Sequence, residues 1–381
     1  MTSPNLISLI EEHYGTDLLD NFEILRLDDN RLVVKCGYTG IKVAIIWDDV
    51  IKSIKNSYTL ERLKSKNGVE KISYLLLYLH RYDYGLSNNM YFLDDCGFYS
   101  NGLAEFLINY DSLEYQYDID LPGLTNFMIG KTYIRVQEPS NLYKFIFHHF
   151  TIDDNFADWN NYRTLSVEGV EKAKLEEIIQ HSLYILAKYN PSILVGDYPE
   201  IVTYMYEDDP WEDSVTYEEG EYPEEFEEPN YYEAIAFYNK GRQTNDELYY
   251  YKVIEYFFII NRKEEIRTII GAYNENSNLN SLIDSITKIY DTKEKILLEN
   301  LLNNLIGIEY FINLAHDKQL IDSKEIGHFS QKLYDYRNSI VHGKKDTKLE
   351  LIVPTTLEEN KRHGWNLILK GLAEKVIQQF C

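Results

Sequence analysis

The stretch Tyr336-Arg337-Asn338-Ser339-Ile340-Val341-His342-Gly343 closes a run of helical spacing near the end of the chain. The spacing predicts a helix over 322–342, and a glycine such as Gly343 is typical of the position just after a helix. Within six residues the stretch supplies a fixed cation, an amide and a titratable imidazole, and Lys344 and Lys345 follow at once. The C-terminal part of the chain therefore has both a predicted helix and a candidate site.

Arg337 and His342 are the candidate catalytic residues of this stretch. Arginine is always charged and its planar fork fits phosphate oxygens, whereas histidine titrates near neutral pH and can move a proton. Cleavage of RNA by its own 2′-hydroxyl needs these two functions and no metal ion. The two residues lie about 140° apart on an ideal helix, so they face one cleft only if the helix frays or bends. Both residue types also interact well with a helix C-terminus, which leaves a structural role open.

Helical spacing continues on both sides of this stretch. Apolar residues recur three and four positions apart, as in helices that bury one face. An antiparallel helical bundle is therefore expected for the C-terminal part of the chain. The predicted helices cover 231–240, 246–270, 278–290, 292–316, 322–342 and 356–379.

Residues 1–205 follow another pattern, in which short apolar runs alternate with turn residues. The fold class is therefore predicted to be α+β: an N-terminal, mixed and mainly antiparallel β domain or pair of domains with helices, followed by an all-α bundle. The predicted strands cover 22–27, 32–36, 42–47, 72–79, 89–93, 113–119 and part of 132–150, and the predicted helices cover 2–14, 49–65 and 167–189.

An acidic segment separates the two parts. Residues 207–228 contain 12 acidic residues and no basic residue. Such a block repels itself, so the simpler prediction is a solvated linker over 206–229 between domains 1–205 and 230–381. A second hypothesis is that the segment mimics RNA and covers a basic groove, with aromatic residues such as Trp211 and Phe226 as anchors.

Net charge limits the classes of partner. The chain carries a net charge of −24, which argues against non-specific binding to nucleic acid. However, residues 245–381 hold 18 basic and 20 acidic residues, so this part is nearly neutral. Residues 1–244 hold the other 20 basic and 42 acidic residues. The C-terminal part is therefore compatible with RNA binding.

The cysteine spacing bears on metal sites and disulfides, and the hydropathy bears on the cellular compartment. Cys36, Cys96 and Cys381 are far apart, which is not the spacing of a zinc site or a disulfide framework. No signal peptide and no apolar run of membrane-spanning length is evident. We expect a cytoplasmic protein without a metal, a cofactor or a membrane partner.

The C-terminal part resembles the HEPN superfamily, whose signature is an arginine, a polar residue, three to five further residues and a histidine. The matching residues here are Arg337, Asn338 and His342. The likeness is strongest to the HEPN domains that end bacterial defence proteins of the ApeA-like kind. Those domains also carry an acidic residue in an early helix, as Glu255 does within Tyr250-Tyr251-Lys252-Val253-Ile254-Glu255-Tyr256-Phe257. The likeness covers about residues 230–381, and no family is recognised for residues 1–205.

The resemblance implies a metal-independent endoribonuclease. His342 would be the general acid and base, and Arg337 would bind the scissile phosphate and stabilise its charge. Asn338 would support both residues, and Glu255 would pair with Arg337 and set its orientation.

The resemblance also implies partners and a biological setting. Lys344 and Lys345 would contact RNA phosphates, and a homodimer or a higher homo-oligomer would form a composite cleft from two signature helices. Such domains cut tRNA or other cellular RNA in anti-phage defence, abortive infection or as toxins. The acidic segment or the N-terminal domain would restrain the enzyme or sense a phage-derived trigger or inhibitory partner. The alternatives are a non-catalytic module that binds RNA or protein or dimerises, and a regulatory subunit of a larger defence complex.

Overall fold

The chain divides into two compact units, Met1–Glu228 and Pro229–Cys381. The predicted helices over 2–14 and 49–65 and the predicted strands over 72–79 and 113–119 lie outside the residues that the structure describes. The architecture is α+β as predicted, with strands in the first unit and a run of helices in the second. A computed structural model describes residues 19–28, 31–46, 90–93, 97–108, 110–112, 123–147, 163–190, 193–195, 222–342 and 359–381.

The first sheet of the N-terminal unit is a three-stranded antiparallel meander in the order β1-β2-β3. The middle strand carries the apolar core of this sheet, since Leu32, Val33 and Val34 are all buried. The register shifts between Ile24 and Arg26, which is a local bulge in the first strand. The predicted strands in this region are confirmed as β1 (Phe22–Asp28), β2 (Arg31–Cys36) and β3 (Lys42–Ile46).

The second sheet has seven strands in the order β12-β8-β9-β10-β6-β5-β4. Its pairs are antiparallel, apart from the parallel pair of β12 with β8. A separate two-stranded sheet pairs β11 with β7. The strands are β4 (Met90–Leu93), β5 (Gly97–Ser100), β6 (Leu103–Ile108), β7 (Tyr110–Ser112), β8 (Asn126–Ile129), β9 (Thr132–Gln137), β10 (Arg163–Glu168), β11 (Ile193–Val195) and β12 (Glu225–Phe226).

The end of the acidic segment belongs to the large sheet of the first unit. Strand β12 pairs with β8, and the ring of Phe226 lies 5.5 Å from that of Phe127 and 5.6 Å from that of Tyr189. Glu228 forms an ion pair with Lys174. Residues 222–228 are therefore not the free linker predicted for 206–229, whereas 206–221 lie outside the described residues.

Several elements of the first unit differ from prediction. Strands β5 to β8 and β10 to β12 were not predicted. Short strands were predicted near 132–150, and β9 lies there, but helix α1 (Asn141–Phe147) follows it. Ser140 starts this helix, because its hydroxyl accepts a hydrogen bond from the Tyr143 backbone N–H at 3.1 Å. Helix α2 (Leu175–Tyr189) begins later than predicted because β10 extends to Glu168 and a turn follows at Gly169, with φ +85°.

The second unit consists of helices in its described residues. Two long predicted helices, 246–270 and 292–316, are each divided into two, so those two predictions are wrong at the breaks. The remaining predicted helices are present with shifts of a few residues at their ends. The helices are α3 (Tyr232–Thr244), α4 (Glu247–Ile260), α5 (Lys263–Asn276), α6 (Leu279–Tyr290), α7 (Glu294–Asn303), α8 (Ile308–Asp317), α9 (Ile326–His342) and α10 (Glu359–Phe380).

One break coincides with a long-range contact and the other with a glycine. Arg262 lies between α4 and α5, and its Nη1 donates hydrogen bonds to the Ile289 carbonyl at 3.2 Å and to the Thr292 hydroxyl at 3.0 Å. These contacts tie the break to the end of α6. Between α7 and α8, Gly307 has φ +81°, a conformation that glycine adopts without strain.

The core of the second unit is formed mainly by α4, α7, α9 and α10. Phe257, Leu298, Leu333 and Leu372 are fully buried there. In contrast, α5 buries no residue fully and α6 buries only Ile289. Among the described residues, no helix is long and apolar enough to cross a membrane.

Candidate functional site

Helix α9 carries the candidate site, and Tyr336 fixes its orientation in the bundle. The Tyr336 ring is buried and stacks on Trp365 of α10 with 5.3 Å between ring centroids. Its hydroxyl donates a hydrogen bond to Glu247 Oε1 of α4 at 3.2 Å. The residue that precedes Arg337 is thereby tied to two other helices.

Glu247 is a buried carboxylate that joins three helices. It is the first residue of α4, only 1% exposed, and Asp246 caps that helix by accepting a hydrogen bond from the Leu248 backbone N–H. Arg362 of α10 donates to Glu247 from Nε at 2.9 Å and from Nη2 at 3.3 Å. Together with Tyr336, these contacts satisfy a carboxylate that would be costly to bury alone.

Arg337 lies beside Glu255 in the same bundle. Its Nη2 donates to Glu255 Oε1 at 2.7 Å, and its Nη1 donates to Asn338 Oδ1 at 3.0 Å. The guanidinium carbon is 5.5 Å from the centroid of the Tyr251 ring, within range of a cation–π interaction. The Arg337 side chain is 18% exposed. The contact with Glu255 is the pairing that the HEPN resemblance implies, whereas the roles of the two residues remain predictions.

Glu294 is a second carboxylate beside the same guanidinium, and sequence reasoning did not identify it. Its Oε1 lies 3.6 Å from Arg337 Nη2 and accepts a hydrogen bond from the Tyr251 hydroxyl at 3.2 Å. Glu294 is the first residue of α7, where a negative charge interacts favourably with the helix dipole. Acidic residues are common in the first turn of helices, so no pattern in the chain links it to Arg337.

Burial and charge determine the protonation of this cluster. Burial raises the pKa of Glu255, and the neighbouring Glu294 carboxylate raises it further, whereas Arg337 opposes the increase. Burial and the same carboxylates also raise the pKa of the Tyr251 phenol, which therefore stays neutral and donates its hydrogen bond. The cluster thus contains one fixed positive charge and two carboxylates, one of which holds a proton more readily than usual.

The acidic side of the site follows one face of α4. Glu247, Tyr251 and Glu255 are spaced four residues apart and therefore share a face. Glu247 contacts Tyr336 at one end of this face, and Glu255 contacts Arg337 at the other. Two neighbouring residues of α9 are thereby held by two carboxylates of one helix.

The remaining predicted site residues lie at or beyond the end of α9. His342 is the last residue of this helix, but its side chain is outside the described residues, as are Lys344 and Lys345. With α9 helical from Arg337 to His342, the two positions are about 140° apart around the axis and roughly 7.5 Å apart along it. The described residues bring together Arg337, Asn338, Glu255 and Glu294.

Comparisons of the chain with protein-family models, curated proteins and solved structures find no match. Among the described residues, no group of three or more His, Cys, Asp or Glu side chains is placed to hold a metal ion.

Proposed function

We propose that the C-terminal unit is a metal-independent endoribonuclease of the HEPN type that acts conditionally in bacterial anti-phage defence or abortive infection. The observation that supports it most directly is the orientation of Arg337 by Glu255 and Asn338, five residues before His342 on one helix. The planar, charged guanidinium can bind a phosphate group of RNA, and the imidazole of the histidine can transfer a proton at the same phosphodiester.

The proposed reaction is an internal transfer at phosphorus. His342 takes the proton of the 2′-hydroxyl as the 2′-oxygen attacks the adjacent phosphorus, and Arg337 stabilises the negative charge that develops on the phosphate oxygens. The bond from phosphorus to the 5′-oxygen breaks, and that oxygen receives the proton that His342 took from the 2′-hydroxyl. The products are a 2′,3′-cyclic phosphate and a free 5′-hydroxyl, so neither water nor an oxidant is consumed.

A homodimer fits the spacing on α9. Because Arg337 and His342 diverge by about 140° on one helix, a two-fold pair of α9 helices offers a route to a composite cleft that uses both residue types. Lys344 and Lys345 follow the histidine in sequence and would contribute further phosphate contacts. The substrate is RNA, with tRNA as the first candidate, and the setting is the cytoplasm.

Conditional activity requires a restraint. The eight acidic residues of 207–221 are the candidate for an RNA mimic, since the end of the acidic segment is already held by the first unit through β12. Replacing those eight carboxylates with amides keeps the length of the segment and removes its charge. Faster RNA cleavage or tighter RNA binding by this variant would support a restraint, whereas unchanged values would refute it.

A second candidate function is a non-catalytic RNA- or protein-binding or dimerisation module, or a regulatory subunit of a larger defence complex. It is favoured by the low exposure of Arg337, 18%, and by its contacts with two carboxylates, which also suit a structural ion pair. This candidate predicts no RNA cleavage, and stoichiometric co-purification of another protein would support the regulatory subunit.

The deciding experiment incubates the purified full chain with total bacterial RNA and with tRNA in EDTA. Cleavage should survive chelation, leave 2′,3′-cyclic phosphate ends and be lost in His342→Ala and Arg337→Ala. Arg337→Lys keeps the charge but loses the planar fork, so we expect a large decrease in rate rather than a change in fold.

Matched controls separate catalysis from general damage. Arg267 and His316 are solvent-facing residues of α5 and α8, with side chains 66% and 42% exposed. Arg267→Ala and His316→Ala should cleave RNA at the wild-type rate. If neither the wild type nor the variant with the amide-substituted acidic segment cleaves RNA, the nuclease proposal is wrong.

A further inference from the structure

Two carboxylates from different helices face one nitrogen atom of Arg337. Glu255 Oε1 lies 2.7 Å from Nη2, and Glu294 Oε1 lies 3.6 Å from the same atom. The side chains of the two glutamates are 31% and 30% exposed, so solvent screens them only in part. When both are ionised, the group has an excess of one negative charge.

The groups that face this pair come from all three helices packed around it. From α4 the Tyr251 hydroxyl donates to Glu294, and from α9 the Arg337 guanidinium contacts both carboxylates. Glu255 Oε1 and Glu294 Oε1 both lie within 4 Å of the same guanidinium nitrogen, so the charge of each carboxylate opposes ionisation of the other. Two carboxyl groups that interact in this way titrate as a pair, and the first proton belongs to the pair.

We infer that Glu294 is a positioning residue for Arg337, and that the pair Glu255–Glu294 takes up a proton when an RNA phosphate binds the guanidinium. The inference rests on the proposed function, since it concerns how the same arginine binds RNA. A phosphate brings another negative charge to a group that already has an excess of one. A proton on the pair removes that excess, so binding of the phosphate and of the proton favour each other.

The direction of the pH effect follows from this linkage. Burial raises the pKa of Glu255 and the neighbouring Glu294 carboxylate raises it further, so the pair loses its last proton at a higher pH than an isolated glutamate does. As the pH rises through that value, RNA affinity should fall by up to about tenfold per pH unit, the limit for one linked proton. In Glu294→Gln a single carboxylate faces Arg337, and this part of the pH dependence should disappear.

Binding is measured separately from cleavage by the use of His342→Ala as the background, which also removes the titration of that histidine. The affinity of this full-length protein for tRNA is compared over pH 5–8 with that of the same protein carrying Glu294→Gln or Glu255→Gln. Calorimetry in two buffers of different ionisation enthalpy counts the protons taken up. We expect the His342→Ala protein to take up as much as one proton on binding tRNA. The number of protons taken up should be clearly smaller when Glu294→Gln or Glu255→Gln is added.

A second readout needs no RNA. In the wild-type protein the folded state holds the proton of the Glu255–Glu294 pair more tightly than the unfolded state does, so its stability falls as the pH rises through the raised pKa of Glu255. Glu294→Gln removes that loss, and its Tm relative to wild type should increase with pH. The control Glu264→Gln removes an exposed carboxylate paired with Arg267, so its Tm difference should not depend on pH.

The outcomes separate this inference from the proposed function. If the wild type cleaves RNA but the glutamine variants show wild-type proton uptake and a constant Tm difference, proton uptake by the Glu255–Glu294 pair is refuted and the nuclease stands. If the Tm difference depends on pH as expected but tRNA does not bind, the link to RNA is overturned together with the proposed function. Both readouts with the expected sign would support the inference.

Discussion

Removal of the Glu247 carboxylate tests whether the contacts behind Arg337 hold α9 in place. Glu247 is 1% exposed and accepts hydrogen bonds from Tyr336 and Arg362. In Glu247→Ala the buried Tyr336 hydroxyl loses its acceptor, at a cost of about 1–3 kcal/mol. The Arg362 side chain is 57% exposed and can turn to water, so its lost ion pair costs under about 1 kcal/mol. With the lost helix-dipole interaction, the expected destabilisation is about 2–4 kcal/mol.

The assay is denaturant unfolding of the full chain followed by tryptophan fluorescence, because Trp365 stacks on Tyr336 and reports on this region. Glu247→Gln keeps the volume and an acceptor for Tyr336, so it should cost only about 1–2 kcal/mol. Glu309→Ala is the matched control, since Glu309 also lies in the first turn of its helix but is exposed. A cost below about 1 kcal/mol for Glu247→Ala would refute the view that this carboxylate fixes α9.

Two further predictions concern the rest of the structure. Leu298→Ala should destabilise the second unit by about 2–5 kcal/mol because Leu298 is fully buried in α7, whereas Ile270→Ala, 45% exposed on α5, should cost under about 1 kcal/mol in the same unfolding assay. Burial raises the pKa of Glu105 despite hydrogen bonds from Ser140 and Thr164, so stability contributed by this carboxyl falls as pH rises through the raised value. The Tm of Glu105→Gln relative to wild type should therefore increase with pH above about 4.5, and a constant difference would contradict the assignment.

Local patterns were sufficient for most helices of the second unit and for strands β1 to β4 and β9, but strands β5 to β8 and β10 to β12 were not predicted. The strands over 22–27 and 32–36 are encoded by short apolar runs on either side of turn residues, and the helix over 278–290 by helical spacing. The break between α4 and α5 was missed although residues 261–265 are all polar, because neither proline nor glycine marks it. It is accompanied by contacts of Arg262 with Ile289 and Thr292, which are distant in sequence.

Strand β12 could not be predicted for a different reason. Its composition is that of a solvated linker, yet Glu225 and Phe226 pair with residues of β8 almost one hundred positions earlier in the chain. The aromatic ring of Phe226 packs on Phe127 and Tyr189. Long-range pairing of two residues leaves no periodic signal that sequence reasoning could detect.

The manner in which Arg337 is held favours a phosphate-binding role over a purely structural one. A structural arginine commonly meets one carboxylate through two parallel hydrogen bonds, which commits two of its donors to that partner. Here Glu255 accepts from Nη2 and Asn338 accepts from Nη1, and Glu294 approaches Nη2 again. Among the described residues, hydrogen bonds therefore occupy two of the five N–H donors. Two nitrogens of the guanidinium are held by acceptors and the Tyr251 ring lies 5.5 Å from its carbon, while three N–H donors are left for an anion, as the proposed binding of an RNA phosphate requires.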